Sequence, residues 1–180
     1  TIFGAYDHGI YGAIENRDFE ARANKDKPRQ VNWRIYTKRA ILCAGATERS
    51  IAFGNNDRPG IMLASAVRTY LNRFAVRVGQ RVSIYTNNDD GWKTARDLFS
   101  KNINVVAIVD SRTIEPVMRI AGAQIFMGTD VIDTKGRKAI KSIKLSNGKT
   151  IETDTLAVSG GWNPNLHLTC HHRGVPKWNE

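Results

Sequence analysis

An α/β fold is predicted for this chain: a parallel sheet built as βαβαβ, an antiparallel β-meander before its closing strand, and a β-rich segment ahead of both. Three observations lead there. Residues 82–85 alternate apolar and polar like a strand, and Trp92, Ala95, Leu98 and Phe99 then recur at helical spacing. The run "INVVAIVD" (103–110) supplies the next strand, and a strand–helix–strand crossover of this kind builds a right-handed parallel unit. Between two later alternating runs stands Asn147-Gly148, a strong hairpin signal because both residue types tolerate positive φ.

The remaining elements follow in chain order. "TIFGAYD" and "YGAIEN" flank Asp7-His8-Gly9, a turn of the kind glycine permits. After a polar stretch (18–30), Val31, Trp33 and Ile35 alternate, and residues 40–43 turn wholly apolar before Gly45. A continuous apolar run bounded by glycine reads as a strand buried on both faces, with Cys43 as a small core residue. "NNDRPG" (55–60) is dense in turn residues and marks a domain boundary. In "IMLASAVRTYLNRF" the apolar residues Leu63, Val67, Tyr70, Leu71 and Phe74 fall on one helical face. A second helix is expected through Met118 to Ala121, with Pro116 near its start, where a missing N–H costs nothing. "AQIFMGT" is a third strand, the segments up to residue 154 a meander, and "TLAVSGG" (155–161) the closing strand. A meander leading into an apolar, glycine-terminated strand thus occurs twice, at 40–46 and at 155–161, the mark of an internal duplication.

Composition narrows the function classes. Hydrophobic residues make up 41% and charged residues 24% of 180, as in ordinary globular domains. No apolar run approaches the ~20 residues a spanning helix needs, so no membrane role is expected; Cys43 and Cys170, far apart in the chain, fit reduced thiols and a cytoplasmic setting. Thr1 begins inside a strand-like run, as in a segment of a longer protein. The net charge of +10 raises nucleic-acid binding; aromatic residues do not interleave with the basic ones as a stacking platform requires, and no nucleic acid is expected. Cys170 with His167, His171 and His172 lacks zinc-ligand spacing, so no metal is assigned and the segment reads as a flexible terminus.

Where a dinucleotide-binding unit places G-x-G-x-x-G between strand and helix, this chain has Thr86-Asn87-Asn88-Asp89-Asp90-Gly91. Asp89 and Asp90 at a helix start favour the helix dipole and repel a pyrophosphate. Asp110, ending the next strand, stands where an acid could receive a ribose hydroxyl; a loop cap is the other reading. The Rossmann-like unit is therefore expected to be scaffold. Asp7, His8 and Tyr11 assemble no nucleophile–base–orienter set, and no catalytic residue is assigned.

"CAGA" (43–46) resembles the Ala-Thr-Gly-Ala motif that ends the first domain of thioredoxin-reductase-like flavoproteins, with Ala44 in place of Thr. "TIFGAYDHGIYGAIE", "GATERSIAFGNNDRPGIMLASAVRTYLNR", "YTNNDDGWKTA" and "AVSGGWNPNLHL", in this order, resemble the α subunit of heterotetrameric sarcosine oxidase. The resemblance implies residues 1–60 as the end of a first dinucleotide-binding domain, 61–161 as a second with a degenerate glycine loop, and 162–180 as a connection back. It implies an enzyme complex that oxidatively demethylates sarcosine to glycine with O₂ and tetrahydrofolate. NAD belongs in this region, FAD and FMN elsewhere in the complex, tetrahydrofolate on a domain not included here, and β, γ and δ subunits are the partners. A non-catalytic subunit of a related amine, opine or proline dehydrogenase is the alternative. By the same resemblance Ala44, Gly45 and Ala46 pass beside the dinucleotide. Gly160, Gly161 and Trp162 lie near its groove, a structural hinge being the other reading; by residue type Trp162 reads as an apolar plug and Asn163-Pro164 as a turn.

Overall fold

The computed structural model describes residues 1–18, 22, 24–116, 118–170 and 173–177. It divides into two compact units, residues 1–46 with 164–180, and residues 47–163.

In the first unit, β1 (Ile2–Tyr6), β2 (Ile10–Asn16) and β3 (Gln30–Tyr36) form an antiparallel sheet in that order. The β1–β2 connection is a 3₁₀ turn, Asp7–Gly9, in which His8 (φ 60°) and Gly9 (φ 71°) are left-handed. Thr37 closes it, donating from its backbone N–H and its hydroxyl to the Gly9 carbonyl at 2.9 and 3.0 Å. Residues 40–45 are not a strand, and Ile41 is 90% exposed. The doubly buried strand expected there does not form, and Cys43 is exposed. An apolar run becomes a strand only when neighbouring strands accept its backbone hydrogen bonds, and among the described residues none pairs with 40–45.

The second unit is built on a parallel sheet. After β4 (Ala46–Glu48) come β5 (Ile61–Leu63), α1 (Ala64–Phe74), β6 (Arg81–Thr86), α2 (Asp89–Ser100), β7 (Asn104–Asp110) and β8 (Gln124–Met127). The meander β9 (Val131–Lys135), β10 (Ser142–Leu145) and β11 (Thr150–Glu152) precedes β12 (Thr155–Ser159) and β13 (Trp162–Pro164); α3 (His167–Cys170) belongs to the first unit. The five strands lie in the order β5-β12-β6-β7-β8. β12 pairs in parallel on both sides, Ala157 facing Met62 and Ile84. Helices α1 and α2 cover one face: Val67, Trp92, Ala95 and Leu98 pack with Val82, Ile84, Ile108 and Ala157. The meander covers the other, where Ile143, Leu145 and Ile151 pack with Tyr85, Val109, Leu156 and Val158. The Rossmann-like α/β class expected from the sequence is what the chain adopts.

Two local expectations are corrected. Residues 61–63, which read as the first turn of a helix, form the edge strand β5. Residues 116–121 form no helix among the described residues, although Ile120 and Met118 still reach the core. The burial of Ile120 and the packing of Met118 are satisfied without one. The Asn147-Gly148 hairpin forms as expected, with Gly148 at φ 83° donating to Leu145 O at 3.0 Å.

Candidate functional site

An open parallel α/β sheet offers a ligand crevice at the carboxyl ends of its strands, where the strand order reverses. Here β7 and β8 lie on one side of β6, and β12 and β5 on the other, so the reversal falls between β6 and β12. Protein polar groups fill it. The Asn88 side-chain amide donates to the Ser159 carbonyl (3.1 Å) and hydroxyl (3.3 Å), and the Asn87 N–H donates to the same carbonyl at 3.3 Å. The other end of the Asn88 side chain caps α2, its Oδ1 accepting the Asp90 N–H at 2.9 Å. One asparagine thus bridges the strands and satisfies a helix donor that a phosphate would otherwise meet.

The loop retains one glycine of the fingerprint. A Cβ at Gly91 would lie 2.4 Å from the Thr86 Cβ, so helix–strand packing forbids a side chain there. That is the packing role of the third fingerprint glycine, whereas the first two serve the turn and the approach of the pyrophosphate. Thr86 and Asn88 stand in those two places. The position of Gly91 was readable in the sequence.

Asp110 is fully buried at the end of β7. Its carboxylate accepts from Trp92 Nε1 and Arg112 Nη2, both at 2.8 Å, and from the Arg112 N–H at 3.0 Å. Burial pushes its pKa up, but the bonds from Arg112 and Trp92 outweigh that and hold it below the ordinary value. Arg112 also pairs with Asp89 at 2.9 Å. Asp110 therefore has its acceptors engaged within the protein. Asp90 pairs with Arg68 at 3.1 Å, and Arg68 reaches Asp97 at 3.1 Å, tying α1 to α2. With two carboxylates at the start of α2 and the crevice bridged, these residues do not fit a dinucleotide. Sequence reasoning saw the acids but missed Trp92 and Arg112 as partners of Asp110, and the bridge from Asn88 to Ser159.

The first unit presents the opposite situation. Gly45 is left-handed at φ 68°, and a Cβ there would meet nothing within 4 Å. Asn165 holds the segment: its N–H donates to the Gly45 carbonyl (2.9 Å) and its side-chain amide to the Ala44 carbonyl (3.0 Å). Nothing in the motif comparison had singled out Asn165. A cavity of about 570 Å³ adjoins the segment, walled by Tyr11, Ile35, Leu42, Cys43, Ala44 and Leu168. Ala46 opens β4. Open backbone beside an apolar cavity meets the steric requirement for a dinucleotide's close approach.

Gly160 is tightly enclosed, since a Cβ would lie 2.8 Å from Arg49 O and 2.9 Å from Ser50 O; Gly161 is left-handed at φ 100° with open space around it. Trp162 is no plug: it lies in β13, 44% exposed, beside a groove lined by Ser65, Arg68 and Asp90. Asn163 and Pro164 are extended in the same strand, not a turn. The Cys170 thiol is exposed and contacts the Leu166 carbonyl at 3.6 Å; His171 and His172 lie outside the described residues. No helix among the described residues is long and apolar enough to cross a membrane.

No family model matches the chain. Curated relatives do: it is 42% identical over 182 residues to the sarcosine oxidase subunit alpha of Rhizobium meliloti, covering 99% of this chain and 18% of that one. It is 34% identical over 195 residues to the subunit of that name from a Corynebacterium species, covering 99% and 20%. The chain thus spans about a fifth of the length of these relatives. Among solved structures, L-proline dehydrogenase from P. horikoshii matches 99% of this chain and 30% of its own, at TM-score 0.70 and 17% identity. An FAD-dependent pyridine nucleotide-disulphide oxidoreductase from Desulfovibrio vulgaris matches 94% and 45%, at TM-score 0.65 and 12% identity. These two likenesses carry the fold alone. The likeness to sarcosine oxidase subunit alpha read from the four sequence motifs extends over nearly the whole chain.

Proposed function

We propose that this chain is a segment of the α subunit of a sarcosine oxidase complex, an oxidoreductase acting on CH–NH donors. The observation that carries the reading is 42% identity over 99% of the chain. In the complex, sarcosine is oxidatively demethylated to glycine with O₂ and tetrahydrofolate, in the cytoplasm. Residues 1–60 close a first dinucleotide-binding domain, 61–161 form a second, and 162–180 return to the first. NAD is held by the first domain, beside Ala44, Gly45 and Ala46. FAD, FMN and tetrahydrofolate are bound outside these residues, and β, γ and δ subunits complete the assembly.

When bound, NAD supplies a nicotinamide that can take or give a hydride. This chain's own part is to orient and admit. Gly45 leaves backbone open for close approach, and Asn165 fixes the Ala44 and Gly45 carbonyls. The second domain contributes rigidity, its crevice closed by Asn88 and Ser159.

The test compares two variants of the full-length α subunit. Gly45→Val places a branched side chain at φ 68°, in the volume the ligand needs, and should abolish NAD retention. Asp89→Ala should leave NAD content unchanged and lower stability by about 0.3–1 kcal/mol. Cofactor content of the purified protein is measured with melting temperature. Equal loss in both, or loss in Asp89→Ala alone, would move the site to the second domain.

A further inference from the structure

The most cationic short segment of the second unit lies between β9 and β10. Residues 135–141 carry Lys135, Arg137, Lys138 and Lys141 and no acid. All four are exposed, and none makes an ion pair among the described residues. The acids close by are already engaged. Asp133 accepts from Asn55 Nδ2 at 2.7 Å and from the Thr134 N–H at 2.8 Å, and faces Lys144 across the strand pair. Glu152 pairs with Arg81 at 2.9 Å, and Asp154 accepts the N–H groups of Gln80 and Arg81.

The backbone of this segment is held in place. Arg58 donates to the Gly136 carbonyl and, at 3.2 Å, to the Thr134 hydroxyl, which donates at 2.8 Å to the Asn55 carbonyl. The Ile140 N–H donates to Pro59 O at 2.9 Å while its side chain is buried in the core, and the Lys141 N–H donates to Lys135 O at 2.7 Å. Gly136, at φ 153°, packs so closely on Ala139 that a Cβ would lie 1.9 Å from its carbonyl oxygen. The "NNDRPG" turn is thus a clamp on a cationic loop. Holding four like charges together is unfavourable unless an opposite charge arrives, and a fixed backbone lowers the ordering cost of docking.

We infer that residues 135–141 are a docking element for an acidic protein surface, that of another subunit of the complex. This rests on the reading of the chain as a subunit segment. A protein surface is favoured over nucleic acid because no aromatic residue lies between Met127 and Trp162, so bases have no side chain to stack on.

The experiment uses the full-length α subunit and the separately purified other subunits of its own complex. A quadruple variant, Lys135→Glu, Arg137→Glu, Lys138→Glu and Lys141→Glu, should weaken association at least tenfold at 50 mM salt, chiefly through the on-rate. The wild-type affinity should fall as salt rises and the difference between the two shrink, since exposed charges are screened within roughly 8 Å at 0.15 M. The neutral set, each residue changed to Gln, should give an intermediate loss with an unchanged melting temperature. Unchanged affinity and salt dependence in the charge-reversed subunit would overturn the inference. So would unchanged subunit affinity with lost retention of a 30-base-pair DNA duplex, which would assign the loop to nucleic acid. A wild-type α subunit that binds none of the other subunits would overturn this inference and the parent reading together.

Discussion

Residues 40–46 and 155–161 are written alike, apolar runs that follow a meander and end in glycine, yet they meet different fates. The second becomes β12, every residue of it buried. The first remains outside any strand from 40 to 45, with Ile41 and Leu42 exposed. The difference lies in their surroundings. β12 exchanges backbone hydrogen bonds with β5 on one side and β6 on the other, with an apolar cluster against each face. The 40–45 run has neither among the described residues. The same contrast separates the candidate ligand regions: the closed one belongs to the buried copy, and the open one to the exposed copy.

The largest test of this comparison removes equal amounts of side chain from each copy. Leu156 is fully buried in β12, and Leu156→Ala should cost about 2–5 kcal/mol through lost transfer energy and the cavity left behind. Ile41→Ala should change stability by no more than about 0.5 kcal/mol, as exposed positions do. Urea unfolding of the 180-residue chain measures both, and equal losses would mean that the 40–45 run is buried in solution.

Next in size are the glycines. At Gly160 a Cβ would press on two backbone carbonyls, Arg49 O and Ser50 O, which cannot rotate aside. Gly160→Ala should cost about 1–3 kcal/mol, as overpacking does. At Gly45 the space is open and only the left-handed backbone resists, so Gly45→Ala should cost about 1 kcal/mol. A Gly45 variant that destabilises more than the Gly160 one would reverse the contrast.

What the sequence made legible follows from this. Periodicity is local, so β1 to β3, α1, α2 and the meander could be read from the spacing of Val31, Trp33 and Ile35, of Val67 and Leu71, and of Trp92, Ala95 and Leu98. Burial depends on neighbours, so Ala40 to Gly45 could not be told from β12. Residues 61–63 continue unbroken into α1, and nothing local announces that Ile61 to Leu63 pair with Leu156 to Val158. At the candidate sites, the lost glycines at 86 and 88 were visible. The bond from Trp92 to Asp110 was not, because Trp92 is 18 residues away and meets it only through the crossover.

A smaller effect, confined to the closed unit, is its dependence on pH. Asp110 has a folded-state pKa below its ordinary value, through Arg112 and Trp92. The stabilisation is therefore fully present above the unfolded pKa, near 3.8, and is lost as pH falls through the lower folded value. Thermal unfolding of the wild type should show this acid loss. Asp110→Asn should be less stable than wild type at pH 7 and show a flatter profile below about pH 4. An identical acid slope in the two proteins would remove Asp110 from the account.

A further small stability change, and the one most specific to the open copy's ligand segment, is at Asn165. Its side-chain amide donates to the Ala44 carbonyl at an exposed position, and an exposed neutral hydrogen bond is worth about 0.5–1 kcal/mol at most. Asn165→Ala should therefore leave the unfolding midpoint nearly unchanged. The backbone bond from Asn165 N–H to Gly45 O survives the substitution, so the 44–46 segment gains freedom without detaching. If that segment holds a dinucleotide, the freedom must be lost again on binding, and NAD retention in the full-length α subunit should fall several-fold at unchanged stability. Asn165→Asp is the sharper variant, because a carboxylate cannot donate to the Ala44 carbonyl and would repel it. It should lose more NAD than Asn165→Ala. Full NAD content in both variants would show that the tether has no part in binding and that the open geometry at Gly45 suffices. A large drop in melting temperature would show instead that Asn165 holds the fold of the first unit.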